Sequence, residues 1–284
     1  MRHRRIISFF LVSVMLLMLT GCANAGGPEK SRPAVITVFG IGKADAILVQ
    51  ADDSVMLIDC GEAEHEAFLL SELNKRGITH LDILQITHFD KDHVGSAAQI
   101  VRNIGADNII YPDYEGDRKE YLAFMDAVQG VSGARALTEV TRFTLGSAEL
   151  TVFPAADPES LISDKEEYDN DLSLVTRMTY GEKTFLFCGD IENARIKQML
   201  RSGTDWSCDW IKLPHHGKYG KQLEKLLDAA APVYSVMTVS AFEPADEKTT
   251  ALLSELSLQS YDNLGADVVT TTDGSSITVT LNAR

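Results

Sequence analysis

Thr87-His88-Phe89-Asp90-Lys91-Asp92-His93 gathers two imidazoles and two carboxylates into seven residues. Nitrogen and carboxylate oxygen donors at this density are metal-ligand chemistry, of the kind that takes Zn²⁺, Mn²⁺ or Fe²⁺. The preceding run Leu81-Asp82-Ile83-Leu84-Gln85-Ile86 reads as a buried strand, and Val94-Gly95-Ser96-Ala97-Ala98-Gln99-Ile100 opens a helical pattern. The donors therefore stand where a strand stops and a helix begins, at the carboxyl end of the strand, where α/β folds collect their active sites.

A metal site needs ligands from several segments, so other donors directly after apolar runs matter. Three segments share that design: Leu57-Ile58-Asp59-Cys60-Gly61, Phe185-Leu186-Phe187-Cys188-Gly189-Asp190 and Trp210-Ile211-Lys212-Leu213-Pro214-His215-His216-Gly217. In each, a strand delivers a charged or imidazole side chain beside a glycine, which lets the backbone turn sharply and leaves room for a ligand. Singly, each has an ordinary explanation as a helix cap or a turn. Their joint occurrence is what points to one site.

The elements that must position these residues fall into two blocks. Strands at Val35–Phe39, Ala46–Gln50 and Val55–Ile58 lead to a helix over Ala63–Arg76, a strand at Leu81–Thr87, a helix over His93–Ile104, a strand at Asn108–Tyr111 and a helix over Lys119–Gln129. Strands at Ala148–Phe153, Leu172–Tyr180 and Thr184–Cys188 open the second block. It continues with helices over Ile191–Arg201, Gln222–Ala229 and Asp246–Leu256, strands at Trp210–Leu213 and Val233–Val239, and a final strand pair about the turn Thr272-Asp273-Gly274-Ser275. Two strand blocks, each with its own helices, predict an α/β four-layer αββα sandwich better than one doubly wound sheet.

This set of residues resembles the metallo-β-lactamase superfamily, with its strand-Asp, HxHxDH loop, Gly-Asp after a strand and late His. It is most similar to the extracellular metallo-β-lactamase-like domain of ComEC-type DNA-uptake proteins. The motif HxDxDH is matched by His88, Asp90, Asp92 and His93, and an opening FxxGxGDAxL by Phe39-Gly40-Ile41-Gly42-Lys43-Ala44-Asp45-Ala46-Ile47-Leu48. Asn170-Asp171-Leu172-Ser173-Leu174-Val175 and Pro214-His215-His216-Gly217 match two further segments. The resemblance runs from about Val35 to Leu281 and implies the metallo-β-lactamase fold over residues 34–284. It implies that Asp92, His93 and one of His215 and His216 hold one divalent ion, that His88 and Asp90 hold another, and that Asp190 bridges both. His215 is preferred as the ligand, with His216 facing substrate. Asp59 would orient a ligand by hydrogen bonds. Asn170, Asp171 and Ser173 stand where many members have a further metal-binding His, and are candidates for weak ligation or substrate contact. Two departures affect substrate reading: Lys218 and Tyr219 follow Pro-His-His-Gly where relatives have Ser, and Phe242-Glu243-Pro244-Ala245 replaces a Gly-His-Pro.

Asp90 in place of an imidazole makes the first ion site harder, so Zn²⁺, Mn²⁺ and Fe²⁺ all remain candidates. Two divalent ions suit displacement at phosphorus, because they activate water as hydroxide and neutralise charge developing on the oxygens. The expected activity is hydrolysis of a phosphodiester, in nucleic acid or in a cell-envelope polymer, with Asp92 among the catalytic residues and His216 or Lys218 protonating the leaving oxygen or contacting phosphate. β-Lactam hydrolysis is disfavoured, since it goes with imidazole-rich sites. The alternative is a non-catalytic lipoprotein that keeps the fold to bind a ligand or partner.

The first 21 residues carry a different message. Arg2, Arg4 and Arg5 precede an apolar stretch from Ile6 to Leu19, the pattern of a secretory leader and shorter than a comfortable membrane span. Leu19-Thr20-Gly21-Cys22 resembles a bacterial lipobox, which implies cleavage before Cys22, lipidation of its sulfur and anchoring on the outer face of a membrane, with residues 22–33 as a tether. The net charge of −15 repels polyanions and counts against tight sequence-independent DNA binding, while leaving open a phosphate ester held mainly by metal ions. Besides Cys22 there are Cys60, Cys188 and Cys208, an odd number that excludes a complete disulfide framework. No feature of the sequence calls for an obligate protein partner.

Overall fold

The computed structural model describes residues 32–161 and 168–283, so the leader, Cys22 and tether residues 23–31 lie outside the described residues. The chain begins with an antiparallel meander, β1 (Ala34–Val38), β2 (Ile47–Ala51) and β3 (Ser54–Ile58). Three crossovers follow, through α1 (Glu66–Lys75) to β4 (Leu81–Gln85), through α2 (Lys91–Val94) and α3 (Ala97–Asn103) to β5 (Ala106–Pro112), and through α4 (Lys119–Val128) to β6 (Ala134–Leu137). Strands β3 to β6 are parallel neighbours.

The second sheet starts with antiparallel β7 (Thr141–Leu145), β8 (Ala148–Phe153), β9 (Val175–Tyr180) and β10 (Lys183–Phe187), with the short helix α5 (Tyr168–Asp171) before β9. It then runs parallel through α6 (Asn193–Arg201) to β11 (Trp210–Lys212), through α7 (Leu223–Ala230) to β12 (Tyr234–Met237) and through α8 (Glu247–Glu255) to β13 (Gln259–Asp262). The hairpin β14 (Ala266–Thr272) and β15 (Ile277–Ala283) returns to the first sheet beside β1. The sheets are ordered β15-β14-β1-β2-β3-β4-β5-β6 and β13-β12-β11-β10-β9-β8-β7.

Three apolar interfaces define the layers. Between the sheets lie Ile36, Val49, Met56 and Ile83 from one side and Leu150, Met178, Phe185, Phe187 and Trp210 from the other. Leu69, Leu73, Ile100 and Phe124 seal helices onto the outer face of the first sheet, and Ile196, Met199, Leu226, Leu227 and Leu253 do so on the second. Helix, sheet, sheet and helix thus stack as the αββα sandwich that two strand blocks require, because each sheet must bury both faces.

The expected elements recur with three differences. Helix 93–104 is broken into α2 and α3: a Cβ on Gly95 would stand 2.4 Å from the Lys91 carbonyl oxygen and 2.5 Å from the Ala63 nitrogen, so the chain bends where it passes under the loop after β3. Leu172–Leu174 precede β9 as part of a turn. Strands β6, β7 and β13 were not anticipated; they are edge or near-edge strands with alternating polar, exposed positions that carry little apolar signal. Cys60, Cys188 and Cys208 are buried and free.

Candidate metal centre

Topology brings the donors together before any side chain is considered. The carboxyl ends of parallel β3 and β4 deliver Asp59 and the 87–93 loop, and those of parallel β10, β11 and β12 deliver Asp190, the 214–217 turn and Thr238. Strands β2 and β9 run antiparallel to their partners, so the residues just before them, Asp45 and Asn170–Ser173, arrive at the same end.

Four side chains converge there. His216 Nε2 lies 3.1 Å from Asp190 Oδ2, 3.2 Å from Asp92 Oδ2 and 3.4 Å from His93 Nε2. His93 Nε2 is 3.3 Å from Asp190 Oδ2 and 4.0 Å from Asp92 Oδ2. Donors bound about 2.0–2.2 Å from a tetrahedral zinc ion stand about 3.3–3.6 Å apart, so this quartet fits a divalent cation with small adjustment. Beside it, His88 Nε2 lies 3.9 Å from Asp90 Oδ2. His88 Nε2 and Asp190 Oδ1 are both fully buried and without hydrogen-bond partners, a costly arrangement unless something binds them. His88, Asp90 and Asp190 are the residues that would hold a second cation.

The histidines are oriented from behind. Asp59 Oδ1 accepts from the Thr87 amide at 2.7 Å and its Oδ2 from the Thr87 hydroxyl at 2.7 Å and from His93 Nδ1 at 2.8 Å. Thr87 Oγ1 is also 3.1 Å from His88 Nδ1. A hydroxyl has one proton, and here it goes to the carboxylate, so Thr87 must accept from His88 Nδ1–H. The same logic holds across the site: Thr238 Oγ1 donates to Asp45 Oδ1 at 2.6 Å and therefore accepts from His216 Nδ1–H at 2.7 Å. Asp45 is in turn paired with Lys212 Nζ at 2.9 Å, both side chains being buried. All three imidazoles are thus held with Nε2 towards the cluster, the way carboxylates orient metal-binding histidines.

Electrostatics follow from this packing. Burial and the neighbouring His93 push His88 down to about 4, leaving it neutral with a free lone pair. For His216, burial opposes charging but Asp190, Asp45 and Asp92 outweigh it and raise it to about 10. His93 is likewise held well above its usual value, burial being overcome by Asp190 and Asp59. Burial would raise Asp45, but the Lys212 ammonium and His216 pull it below the ordinary carboxylate range. Asp90 is raised by burial, against the pull of Arg118.

The backbone is bent to serve the site. Among the described residues six non-glycines have positive φ, and three of them, Asp59, His215 and His216, lie here. Each such residue costs about 1–3 kcal/mol, which the surrounding contacts must offset. Gly189 also has positive φ, and a Cβ there would stand 2.8 Å from Ser173 Cβ and 3.1 Å from Thr87 Cβ.

The two expected alternatives for one ligand sit differently: His215 Nδ1 bonds Glu192 Oε1 at 2.6 Å and its Nε2 is 3.9 Å from Asp190 Oδ2, while His216 Nε2 sits among the donors. His216 is buried, with Nε2 turned to the carboxylates of Asp92 and Asp190. Asp171 Oδ1 accepts from the Glu192 and Arg195 amides at the start of α6, as a helix cap does. Ser173 Oγ accepts from the Asp190 amide at 3.2 Å and so positions that loop, whereas Asn170 keeps a buried, unpartnered Oδ1. Lys218 Nζ is 3.0 Å from Glu192 Oε1. Asp45, Thr238, Lys212 and Thr87 carry roles not anticipated from sequence. Asp45 lies in the quoted glycine-rich stretch; Thr238 follows an ordinary strand and gives no signal.

A model of the metallo-β-lactamase superfamily matches residues 40–239, most of the described chain. The chain belongs to the metallo-β-lactamase superfamily. Within it, the chain is similar to ComE operon protein 3 of Bacillus subtilis (strain 168), at 23% identity over 269 residues, covering 87% of this chain and 33% of that protein. It therefore spans about a third of that relative's length. Among solved structures, CmlA, a diiron beta-hydroxylase from Streptomyces venezuelae, superposes with a TM-score of 0.55 at 15% identity, over 83% of this chain and 53% of that one. Tm1679, a metal-dependent hydrolase of the beta-lactamase superfamily, does so with a TM-score of 0.53 at 13% identity, over 81% and 96%. These likenesses establish the metallo-β-lactamase fold. The two neighbours, a hydroxylase and a hydrolase, differ in chemistry, so the fold does not choose between them and the site residues must.

Proposed function

We propose that this chain is a metal-dependent hydrolase of phosphodiesters that works with two divalent cations, zinc foremost and manganese or iron as alternatives. The observation that carries the reading is the quartet Asp92, His93, Asp190 and His216 at 3.1–4.0 Å spacing, next to the unpartnered His88 Nε2 and Asp190 Oδ1. His93, His216, Asp92 and Asp190 would hold one ion, and His88 and Asp90 with Asp190 the other. Divalent cations in such a pair supply Lewis acidity and neutralise charge on phosphorus-bound oxygens. The protein's own part is orientation: Asp59 and Thr87 fix His88 and His93, and Asp45, Lys212 and Thr238 fix His216, so that the lone pairs are set before substrate arrives.

Beside the quartet, His215 and Lys218 share Glu192 at the edge of a cavity of about 240 Å³ also lined by Ile191, Pro214, Tyr219 and Leu223. His215, hydrogen-bonded through Nδ1 to a carboxylate and within reach of Asp190, takes the role first given to His216: it holds the proton for the leaving oxygen, with the cavity accommodating the leaving group. The substrate is a nucleic acid or a cell-envelope polymer. Similarity to a ComEC-type protein supports the first and the strongly acidic composition the second. Export, lipidation at Cys22 and a position on the outer face of a membrane belong to the same proposal. Among the described residues no helix is long and apolar enough to cross a membrane.

The test is hydrolysis of bis(p-nitrophenyl) phosphate by protein of defined metal content. Turnover well above an Asp92→Ala/His93→Ala control, with close to two ions per chain, is expected. Turnover no better than that control in zinc-, manganese- and iron-loaded protein refutes the hydrolase reading, and parallel assays on single-stranded DNA and on choline-bearing envelope polymer choose the substrate.

A further inference from the structure

Arg118 stands just before α4, and its Nη2 lies 3.1 Å from Asp90 Oδ1. The other oxygen of that carboxylate is the one facing His88 Nε2 at 3.9 Å. One carboxyl group is therefore shared between a guanidinium on the rim and an imidazole in the cluster. Arg118's side chain is 48% exposed and Asp90's 27%, so the pair sits at the mouth of the site and not in its floor. Among the described residues this ion pair is the one polar contact of the Arg118 side chain, which leaves most of its five N–H donors uncommitted.

Stability gives little reason for an arginine there, since half-exposed ion pairs contribute weakly. Chemistry gives a better one. In a chain of net charge −15, with Asp169 also close enough to Arg118 and Asp90 for their charges to be felt, an anionic substrate meets a repulsive surface except where a cation is placed for it. The lysine at the opposite side of the site, Lys218, is already engaged by Glu192. The buried, unpartnered acceptor His88 Nε2 lies beside Asp90, on the side of the cluster that Arg118 reaches.

We propose that Arg118 grips a non-bridging oxygen of the substrate's phosphodiester, using N–H groups left over from its pair with Asp90; this rests on the phosphodiesterase reading above. A planar guanidinium matches the spacing of two phosphate oxygens, and a charge-assisted pair of this kind is strong and directional. A carboxylic ester has no charged oxygen to offer it. Arg118 is thus a specificity determinant that favours phosphate over acyl substrates, while its bond to Asp90 aligns the substrate with the donors of the His88 side.

The experiment compares wild type, Arg118→Gln and Arg118→Lys as metal-loaded full-length protein. It measures metal content, kinetics on bis(p-nitrophenyl) phosphate, calorimetric binding of inorganic phosphate, and any hydrolysis of p-nitrophenyl acetate. The Gln variant should keep its metal and its acetate rate, while KM for the diester and Kd for phosphate rise about ten- to a hundredfold. The Lys variant should recover part of that loss. Unchanged phosphate affinity in Arg118→Gln overturns the proposal, as does loss of metal in step with loss of affinity, because Arg118 would then act only through Asp90. If wild type hydrolyses no diester, the phosphodiesterase reading fails separately, and phosphate binding still decides the role of Arg118.

Discussion

At Thr87 and Thr238 a single hydroxyl proton decides what the neighbouring imidazole can do. Because each threonine donates to a carboxylate, each must accept from a histidine, and the lone pair of that histidine is turned to the cluster. Thr238→Val removes the acceptor for His216 Nδ1 without changing volume much. Metal affinity is expected to fall about ten- to a hundredfold, read by competition with a chromophoric chelator, with the fold retained. His216→Ala should lose one ion of the pair and His215→Ala should keep both while losing turnover; elemental analysis of the two variants separates ligand from proton donor. The same residues set a pH dependence. Asp190, Asp45 and Asp92 raise His216 to about 10 against burial, so below that value a proton competes with the cation for Nε2. Binding should therefore release protons at pH 7, and apparent affinity should climb as pH rises from 6 towards 9. Calorimetry in buffers of different ionisation enthalpy measures the release, and an affinity independent of pH would contradict the assignment of His216.

At the level of elements, the site is a seam between two sheets. Lys212 on β11 and Asp45 just before β2 form a buried ion pair across it, and both charges are out of water. Such a pair adds little net stability as a unit, but losing one partner strands the other. Lys212→Met is expected to destabilise the protein by about 3–5 kcal/mol in urea unfolding. Adding Asp45→Asn to it should recover part of that loss, because the stranded charge goes. Gly189 ends β10 at positive φ where a Cβ has no room against Ser173. Gly189→Ala should displace Asp190 and lower both melting temperature and metal content, whereas an alanine at Gly203, where a Cβ would meet nothing within 4 Å, should spare the metal.

For the molecule as a whole, charge governs encounter. A net charge of −15 slows the approach of a polyanion and salt screens that repulsion. If DNA is a substrate, kcat/KM on it should rise with ionic strength between 20 and 200 mM, opposite to the fall seen for basic nucleic-acid enzymes, while the rate on a zwitterionic diester should barely move. The steep fall typical of counterion release on the DNA would show that a basic face has been overlooked. The intersheet layer containing Trp210, Phe185 and Phe187 fixes how closely the two strand blocks approach and hence the distance from the 87–93 loop to the 214–217 turn.

The sequence alone determined the layered architecture and which segments bring donors to the candidate site, because both depend on local order: apolar runs set the strands, and His88, Asp90, Asp92, His93 and Asp190 follow them directly. It could not decide between His215 and His216. Both follow the same strand, both take the left-handed backbone conformation, and only the position of Thr238 and Asp45, 22 and more residues away along the chain, turns one inward and leaves the other to Glu192. Asp45, Lys212 and Arg118 were hidden for a related reason. A charge that acts by pairing across space leaves no periodicity in the sequence: Lys212 meets Asp45 only when the two sheets close upon each other, and Arg118 meets Asp90 only when the start of α4 packs beside the loop after β4.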